Sequence, residues 1–285
     1  MVRCVTLAGA LCALAVLAPS SSSRTQAPAA PRLEALFAEA QRDPAGVVPL
    51  LVEGSRVLAS LPPEAARRLG DTLEPFARRT FFGPERLPGM ERLGLVLHTV
   101  AKGENPTVIA ARYDVGSGLL GYLNESFEPK KLRVGQRLKV LDASHGELEL
   151  SIDRATFRLT AWRQLAQGGR VLVLFAPVGL GAADSPTPTG QTRITTRVLE
   201  PQWTDPDTRQ VFGPKDPRNV LGGYWIALDP DGLGGRRGIG LHGYTGSPAD
   251  DWLEKPGSQG CIRLLQKDVD RVFHLATEGT VVEIR

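Results

Sequence analysis

The sequence predicts an α+β chain of several units: a helical N-terminal segment, a small βααβ unit, and a mainly-β C-terminal domain with a sandwich or barrel-like sheet. Three observations predict it. Apolar residues recur at helical spacing from Pro31 to Arg79; two strand-like runs flank two short helical patterns between Leu95 and Asp142; and from Glu147 onward alternating runs are punctuated by Gly and Pro. The 285 residues, 42% hydrophobic and 23% charged, have ordinary globular composition and a length that suits two small folded units.

Taken in order, residues 1–23 read as a secretory signal. Arg3 supplies positive charge, Val5 to Ala18 is an apolar run, and small residues follow at Ser20 to Ser23. The run is shorter than the ~20 residues of a spanning helix, so no stable membrane span is expected after cleavage. Leu11 before Cys12 fits a lipoprotein signal poorly. The expectation is an exported protein. Arg24 to Pro31, rich in Ala and Pro, reads as a flexible lead.

The helical segment is placed at 31–80. Leu33, Leu36, Phe37 and Ala40 share a face, and Val47 to Leu61 and Ala65 to Phe76 continue the period. Asp43-Pro44 and Pro62-Pro63 mark the breaks, with Pro near the first turn of the next helix. No chemistry is visible in it, so packing or spacing is its expected role. Phe81 to Gly94, holding Gly83-Pro84 and Pro88-Gly89, reads as a linker.

The βααβ unit spans 95–142. Leu95 to Val100 and Arg137 to Leu141 read as paired strands, and Thr107 to Tyr113 and Leu119 to Asn124 as helices. The C-terminal domain spans 147–285. Its first strands are placed at Glu147–Asp153, Thr156–Gln164 and Arg170–Val178, with a Gly168-Gly169 hairpin turn between the last two. Turn-rich connections recur at Asp205-Pro206, Gly213-Pro214 and Asp229 to Gly235. A late helix at Lys267–Thr277, with Gly279 as its stop, precedes a final strand at Thr280–Arg285.

Lys and Arg exceed Asp and Glu by 34 to 31, a net charge of +3. The arginines are scattered, so no nucleic-acid partner is expected. Of three cysteines, Cys4 and Cys12 fall in the signal, leaving Cys261 as the lone cysteine of the mature chain. Exported proteins usually pair their cysteines, so a solitary one is either reactive or buried. Cys261 lies in Ser258-Gln259-Gly260-Cys261-Ile262-Arg263-Leu264, nineteen positions after His242. A free thiol has a pKa of roughly 8.5, and an imidazole able to take its proton makes it a useful nucleophile at neutral pH. Gly260 permits a sharp turn and close backbone approach. At this level a small buried thiol at a strand start and a nucleophile remain the two readings.

His242-Gly243 followed by Ser258-Gln259-Gly260-Cys261-Ile262-Arg263 resembles the catalytic signature of L,D-transpeptidases, the YkuD-type domain that acts on peptidoglycan. Ser185-Pro186-Thr187-Pro188-Thr189-Gly190 is similar to that family's Thr-Pro-Thr-Gly segment, and Asn219-Val220-Leu221-Gly222 resembles its Asn-Pro-Leu-Gly stretch with valine for proline. The βααβ unit, through Val100-Ala101-Lys102-Gly103-Glu104, Ile109 to Tyr113, Leu123-Asn124 and Leu132 to Leu138, resembles a LysM module, which binds N-acetylglucosamine-containing glycans. It departs at Glu104-Asn105-Pro106, where Asp-Thr-Leu is common.

The resemblance implies a cysteine-dependent acyltransferase of peptidoglycan biosynthesis and cell-wall biogenesis, with consequences for cell shape. Cys261 is implied as nucleophile and His242 as general base, oriented by the Gly243 carbonyl. Amides at Gly260 and Cys261, with Gln259, are implied as oxyanion donors, each worth about 3 kcal/mol in the transition state. Ser258 is a support, and Arg263 either a support or a holder of a substrate carboxylate. Tyr244 and Trp252 either cover the thioester or pack the loop. The family often has a second histidine where Gln259 stands, which leaves His242 the sole proton carrier. The implied reaction attacks a stem tetrapeptide, releases D-alanine and forms a thioester resolved by an amine to give a 3-3 cross-link. Water as acceptor makes an L,D-carboxypeptidase, and a protein lysine gives protein-to-wall attachment. Stem peptides and glycan strands are the expected partners, carbapenem-type compounds the expected inhibitors, and no cofactor is implied. The competing classes are a non-catalytic peptidoglycan-binding protein and a structural exported protein with a buried thiol. His98 is expected as a surface or strand residue, His145 as solvated, and His274 as a packing residue. A zinc site of Cys261, His242 and His274 lacks paired ligand spacing such as His-Glu-x-x-His, so no metal is expected.

Overall fold

Helices α1 (Ala29–Arg42), α2 (Val47–Leu58) and α3 (Pro63–Phe81) fill the N-terminal segment of the computed structural model, which describes residues 29–285 apart from Ser126, Ser144, His145 and Pro248. The signal, with Cys4 and Cys12, and His145 therefore lie outside the described residues. Asp43 breaks the first pair by accepting a hydrogen bond from the Ala45 amide at 2.8 Å, and Pro63 opens α3. Leu33, Phe37, Leu50, Leu51, Leu73 and Phe81 form the buried stripe that joins the three helices to the main core. Two close approaches fix the helices on the sheet behind them. Ser55, fully buried in α2, accepts from the Leu172 amide at 2.8 Å. Gly70 of α3 lies on the ring of Phe175, where a Cβ would come within 2.6 Å of its atoms.

The stretch after α3, expected as a linker, is instead packed: Leu87, Met90 and Leu93 are buried. It also wraps a lysine. Lys139 Nζ, 1% exposed, donates to the carbonyls of Thr80, Gly83 and Glu85 at 2.8, 2.9 and 2.6 Å. The carbonyls at a helix C-terminus lack partners within the helix, and an ammonium carries three donors, so each need meets the other. Glycine and proline in the sequence marked the irregular backbone but not this packing.

The βααβ unit comprises β1 (Leu95–Thr99), α4 (Pro106–Arg112), α5 (Ser117–Leu123) and β2 (Arg137–Leu141), with β1 and β2 antiparallel and Leu95 opposite Leu141. The departure at Glu104-Asn105-Pro106 has a local cause. Asn105 caps α4 by accepting from the Val108 amide, Pro106 takes the first helical position, and Glu104 accepts from the Ala101 amide at 2.7 Å. His98 is a strand residue but a buried one, placed between Tyr113 Oη and the Glu104 carboxylate at 3.1 and 2.9 Å.

The C-terminal domain runs β3 (Leu148–Asp153), β4 (Arg158–Gln164), β5 (Arg170–Gly181), β6 (Gly190–Leu199), β7 (Trp203–Thr204), β8 (Val211–Phe212), β9 (Tyr224–Leu228), β10 (Gly240–Gly243), β11 (Pro256–Ser258), β12 (Ile262–Leu264), α6 (Gln266–Leu275) and β13 (Val281–Ile284). The main sheet has the order β11-β5-β12-β10-β9-β6-β13-β3-β4, and β4 also pairs with β5. Strand β5 is long enough to serve both ends: Arg170 to Pro177 pair with β4, and Val178 and Gly179 pair with β12. That double pairing closes the sheet into the expected barrel-like form. Strands β7 and β8 form a separate hairpin. Helix α6 ends at Leu275, before the expected Thr277. Gly279 is not its stop: with φ +89° it shapes the turn into β13 and donates to the Ile194 carbonyl at 2.8 Å.

Helix α6 also meets the βααβ unit. Asp270 accepts from Tyr224 Oη at 2.6 Å and from Tyr122 Oη of α5, while the Gly116 amide donates to the His274 carbonyl at 3.1 Å. His274 packs between Tyr224 and α5, and burial lowers its pKa.

Candidate active site

Strand pairing brings the two candidate reactive residues together. β10 and β12 run parallel, with Leu241 opposite Ile262 and His242 opposite Arg263, so Cys261 enters beside the start of β10. Side chains alternate along a strand, which places Cys261 on the sheet face that carries His242 two residues on.

His242 is 5% exposed and stacks on Trp225 of β9, its register partner, with ring centres 5.8 Å apart. Its Nδ1 bonds the carbonyl of Gly243. Burial lowers its pKa to about 4, against the Gly243 bond, which raises it; the nearby Arg263 charge lowers it further.

Cys261 follows a turn organised by Ser258. That buried hydroxyl donates to the Cys261 carbonyl at 2.6 Å and accepts from the Gly260 amide at 3.1 Å. The Gly260 amide, expected as an oxyanion donor, is thus committed to Ser258. Glycine is nonetheless required at 260: φ is +107°, and a Cβ would lie 2.9 Å from both Arg236 and Ile239. The thiol donates to the Gly238 carbonyl at 3.3 Å. Burial raises its pKa, offset in part by a backbone bond from Gly240 and by the charges of Arg263 and Arg236. Burial thus disfavours the charged form of both side chains.

Arg263 lays its guanidinium over the Tyr244 ring, 3.8 Å from the centre, and its Nε is buried with no hydrogen-bond partner among the described residues. Trp252 does not cover the thiol. It packs edge-to-face with Tyr244 and close against Gly179, and it is absent from the cavity wall. Packing is the reading of Trp252 that the geometry carries. Tyr244 does line the cavity.

The cavity measures about 880 Å³ and is lined by His242, Cys261, Arg263, Ser258, Gln259 and Tyr244 together with the loop from Pro201 to Asp207 and Arg209. Gln259 Nε2 donates to Asp207 Oδ1 at 3.1 Å, linking the nucleophile turn to that loop. The upstream motif stretches support the same place. Thr187, 1% exposed, accepts from the Gly181 amide at 2.9 Å, and Asn219 donates to the Pro201 and Gly213 carbonyls at 2.8 and 3.1 Å.

Sequence reading missed Trp225, Arg236, Arg237 and the Trp203–Arg209 loop. Trp225 follows the Asn219–Gly222 stretch by three residues and meets His242 only through the β9–β10 pairing. Arg236 clamps the turn from outside, donating to the Pro186 carbonyl, Ser185 Oγ and the Gln259 carbonyl at 2.6, 2.5 and 3.1 Å. No local pattern marks Arg236, because its partners are 23 to 51 positions away.

Comparison with known proteins bears on the same residues. Residues 149–284 match the family model described as YkuD, L,D-transpeptidase catalytic domain, and residues 98–141 match that of the LysM domain. The chain is 25% identical over 193 residues to YkuD, a candidate L,D-transpeptidase of Bacillus subtilis (strain 168), covering 67% of this chain and 99% of that protein. It is 31% identical over 107 residues to YqjB, a candidate L,D-transpeptidase of the same strain, covering 38% of this chain and 56% of YqjB's length. Among solved structures, an L,D-transpeptidase from Stackebrandtia nassauensis is matched at 18% identity and a TM-score of 0.35, covering 56% of this chain and 61% of that one.

Proposed function

We propose that this chain, which carries an L,D-transpeptidase catalytic domain of the YkuD type behind a LysM domain, is an exported peptidoglycan L,D-transpeptidase with Cys261 as nucleophile and His242 as base. The observation that carries the reading is one cavity lined by Cys261, by a His242 whose Nδ1 is held by the Gly243 carbonyl, and by Arg263.

The chemistry follows from the protonation states. A carbonyl oxygen only accepts, so Nδ1 carries the ring proton and Nε2 is the free base. As Sγ attacks the carbonyl carbon of the bond to terminal D-alanine, Nε2 takes the thiol proton. The tetrahedral intermediate collapses to a thioester, and the proton passes from His242 to the departing D-alanine amine. An amine of a second stem attacks the thioester, yields its proton through His242 and leaves a peptide bond and the free thiol. Arg263, a guanidinium on the cavity wall, suits a carboxylate of the donor stem. Water or a protein lysine as acceptor uses the same steps.

In the LysM domain, a groove of about 720 Å³ bordered by Asn105, Val108, Gly118 and Phe127 suits a glycan strand. Weak glycan binding there raises the local concentration of stem peptides at the catalytic cavity. Export to the periplasm or cell wall follows from that substrate.

The test is intact-protein mass after incubation with a carbapenem, for the native chain and Cys261→Ala. One adduct on the native chain and none on the variant supports the reading. An unmodified native chain whose thiol labels only after denaturation sinks it in favour of a wall-binding protein.

A further inference from the structure

The helical segment showed no chemistry in sequence, yet its third helix reaches the loop that delivers the nucleophile. Arg67 of α3 donates to Glu254 Oε2 at 2.5 Å across 187 positions. Arg158 of β4, 5% exposed, places Nη1 2.8 Å from Glu254 Oε1 and donates to both carboxylate oxygens of Asp71 of α3 at 3.3 and 3.2 Å. Glu254 is thus held by two guanidinium groups, and the inner one is itself anchored to α3.

Glu254 sits at a sensitive point. It adopts φ +57°, uncommon for a residue with a side chain, and its amide donates to the Val178 carbonyl at 3.1 Å. Strand β11 begins two residues later and ends at Ser258, whose hydroxyl fixes Gly260 and Cys261. Two residues earlier, Trp252 backs Tyr244, on which Arg263 lies. The short chain segment around Glu254 therefore joins both the nucleophile turn and the Arg263 side of the cavity.

We propose that Arg67 and Asp71 of the helical segment, acting with Arg158 on Glu254, are positioning residues for the Cys261 turn. The segment is then part of the catalytic apparatus rather than a spacer. The positioning role rests on the transpeptidase reading, while the clamp itself is a matter of geometry. A strained loop residue persists where its surroundings over-determine it, and here two guanidinium groups hold Glu254, one of them anchored by Asp71. A misplacement of a reacting group by about 1 Å can cost on the order of 100-fold in rate, so a clamp one strand away from the thiol is rate-relevant.

The experiment compares Arg67→Ala, Glu254→Gln and Arg67→Lys with the native full chain, using the exposed neighbour Arg68→Ala as control. Hydrogen exchange of residues 251–258 and the rate of carbapenem acylation are measured together. Arg67→Ala and Glu254→Gln are expected to exchange faster at the Glu254 amide and to acylate roughly five- to tenfold more slowly. Arg67→Lys recovers most of the rate, and Arg68→Ala matches native. Unchanged acylation in both variants overturns the proposal, whether or not exchange changes. A uniform rise in exchange across β3 to β5 also overturns it, because that marks general destabilisation. If native protein is not acylated at all, the functional reading fails, and exchange at 251–258 alone decides whether the clamp exists.

Discussion

The carbonyl of Gly243 accepts a hydrogen bond from Nδ1 of the histidine that precedes it, His242. A main-chain oxygen thereby takes the orienting role that a carboxylate has in many triads. The difference is electrostatic. A carboxylate would stabilise an imidazolium, whereas a neutral carbonyl leaves a buried ring to be governed by desolvation, which lowers its pKa.

His242 is accordingly expected to stay neutral well into the acid range. Its pKa falls from 6.5 to about 4, so the unfolded chain binds the proton first. The associated stability is fully present above about pH 6.5 and is lost as pH falls through about 4, amounting to roughly 3 kcal/mol. Titration of the His242 ring by NMR checks this; a midpoint between 6 and 7 would refute it.

Cys261 is expected to be slow towards simple alkylating agents at neutral pH. Burial raises its pKa, and the Arg263 charge holds it lower than burial alone would. The pH profile of iodoacetamide labelling should have its midpoint above that of a free thiol, and Arg263→Gln should move it higher still. A midpoint near 7 would instead mean a preformed thiolate.

Ser258→Ala removes one hydroxyl that serves two backbone groups of the nucleophile turn. A loss of about 1–2 kcal/mol in stability is expected from the unpaired buried groups. Carbapenem acylation should slow at least roughly tenfold, equivalent to about 1.4 kcal/mol of barrier. Thermal melting and single-turnover mass spectrometry measure the two effects separately. Native acylation in Ser258→Ala would show that the turn holds without it.

Lys139→Met tests the packing of the stretch after α3. The substitution keeps an unbranched apolar stem but leaves the carbonyls of Thr80, Gly83 and Glu85 without their donor. A cost of roughly 3 kcal/mol is expected in chemical denaturation. A change below about 0.5 kcal/mol, the range of ordinary surface substitutions, would mean that water replaces the ammonium freely.

Periodicity and punctuation made the element order legible. The helical period of Leu33, Leu36, Phe37 and Ala40 led to α1, and the Gly168-Gly169 pair, both at positive φ, led to the β4–β5 hairpin. The boundaries of α6 were less legible, because Gly279 carries the signature of a helix stop while serving the next turn. His242 and Gly243 on one short strand, and Ser258, Gly260, Cys261 and Arg263 on two more joined by a tight turn, stood out because each group is short and contiguous in sequence.

By itself, the sequence determined the local properties: which segments are helical or extended, where glycine must turn the chain, and which thiol and imidazole could react. Only the tertiary structure decided which carbonyls Lys139 would satisfy, that Trp252 packs against Gly179 while Trp225 lies on His242, and that Arg67 reaches Glu254. The reason is physical. Local backbone preference extends over a few residues, whereas burial, desolvation and ion pairing depend on groups brought together by the closing of the sheet, with no fixed spacing along the chain.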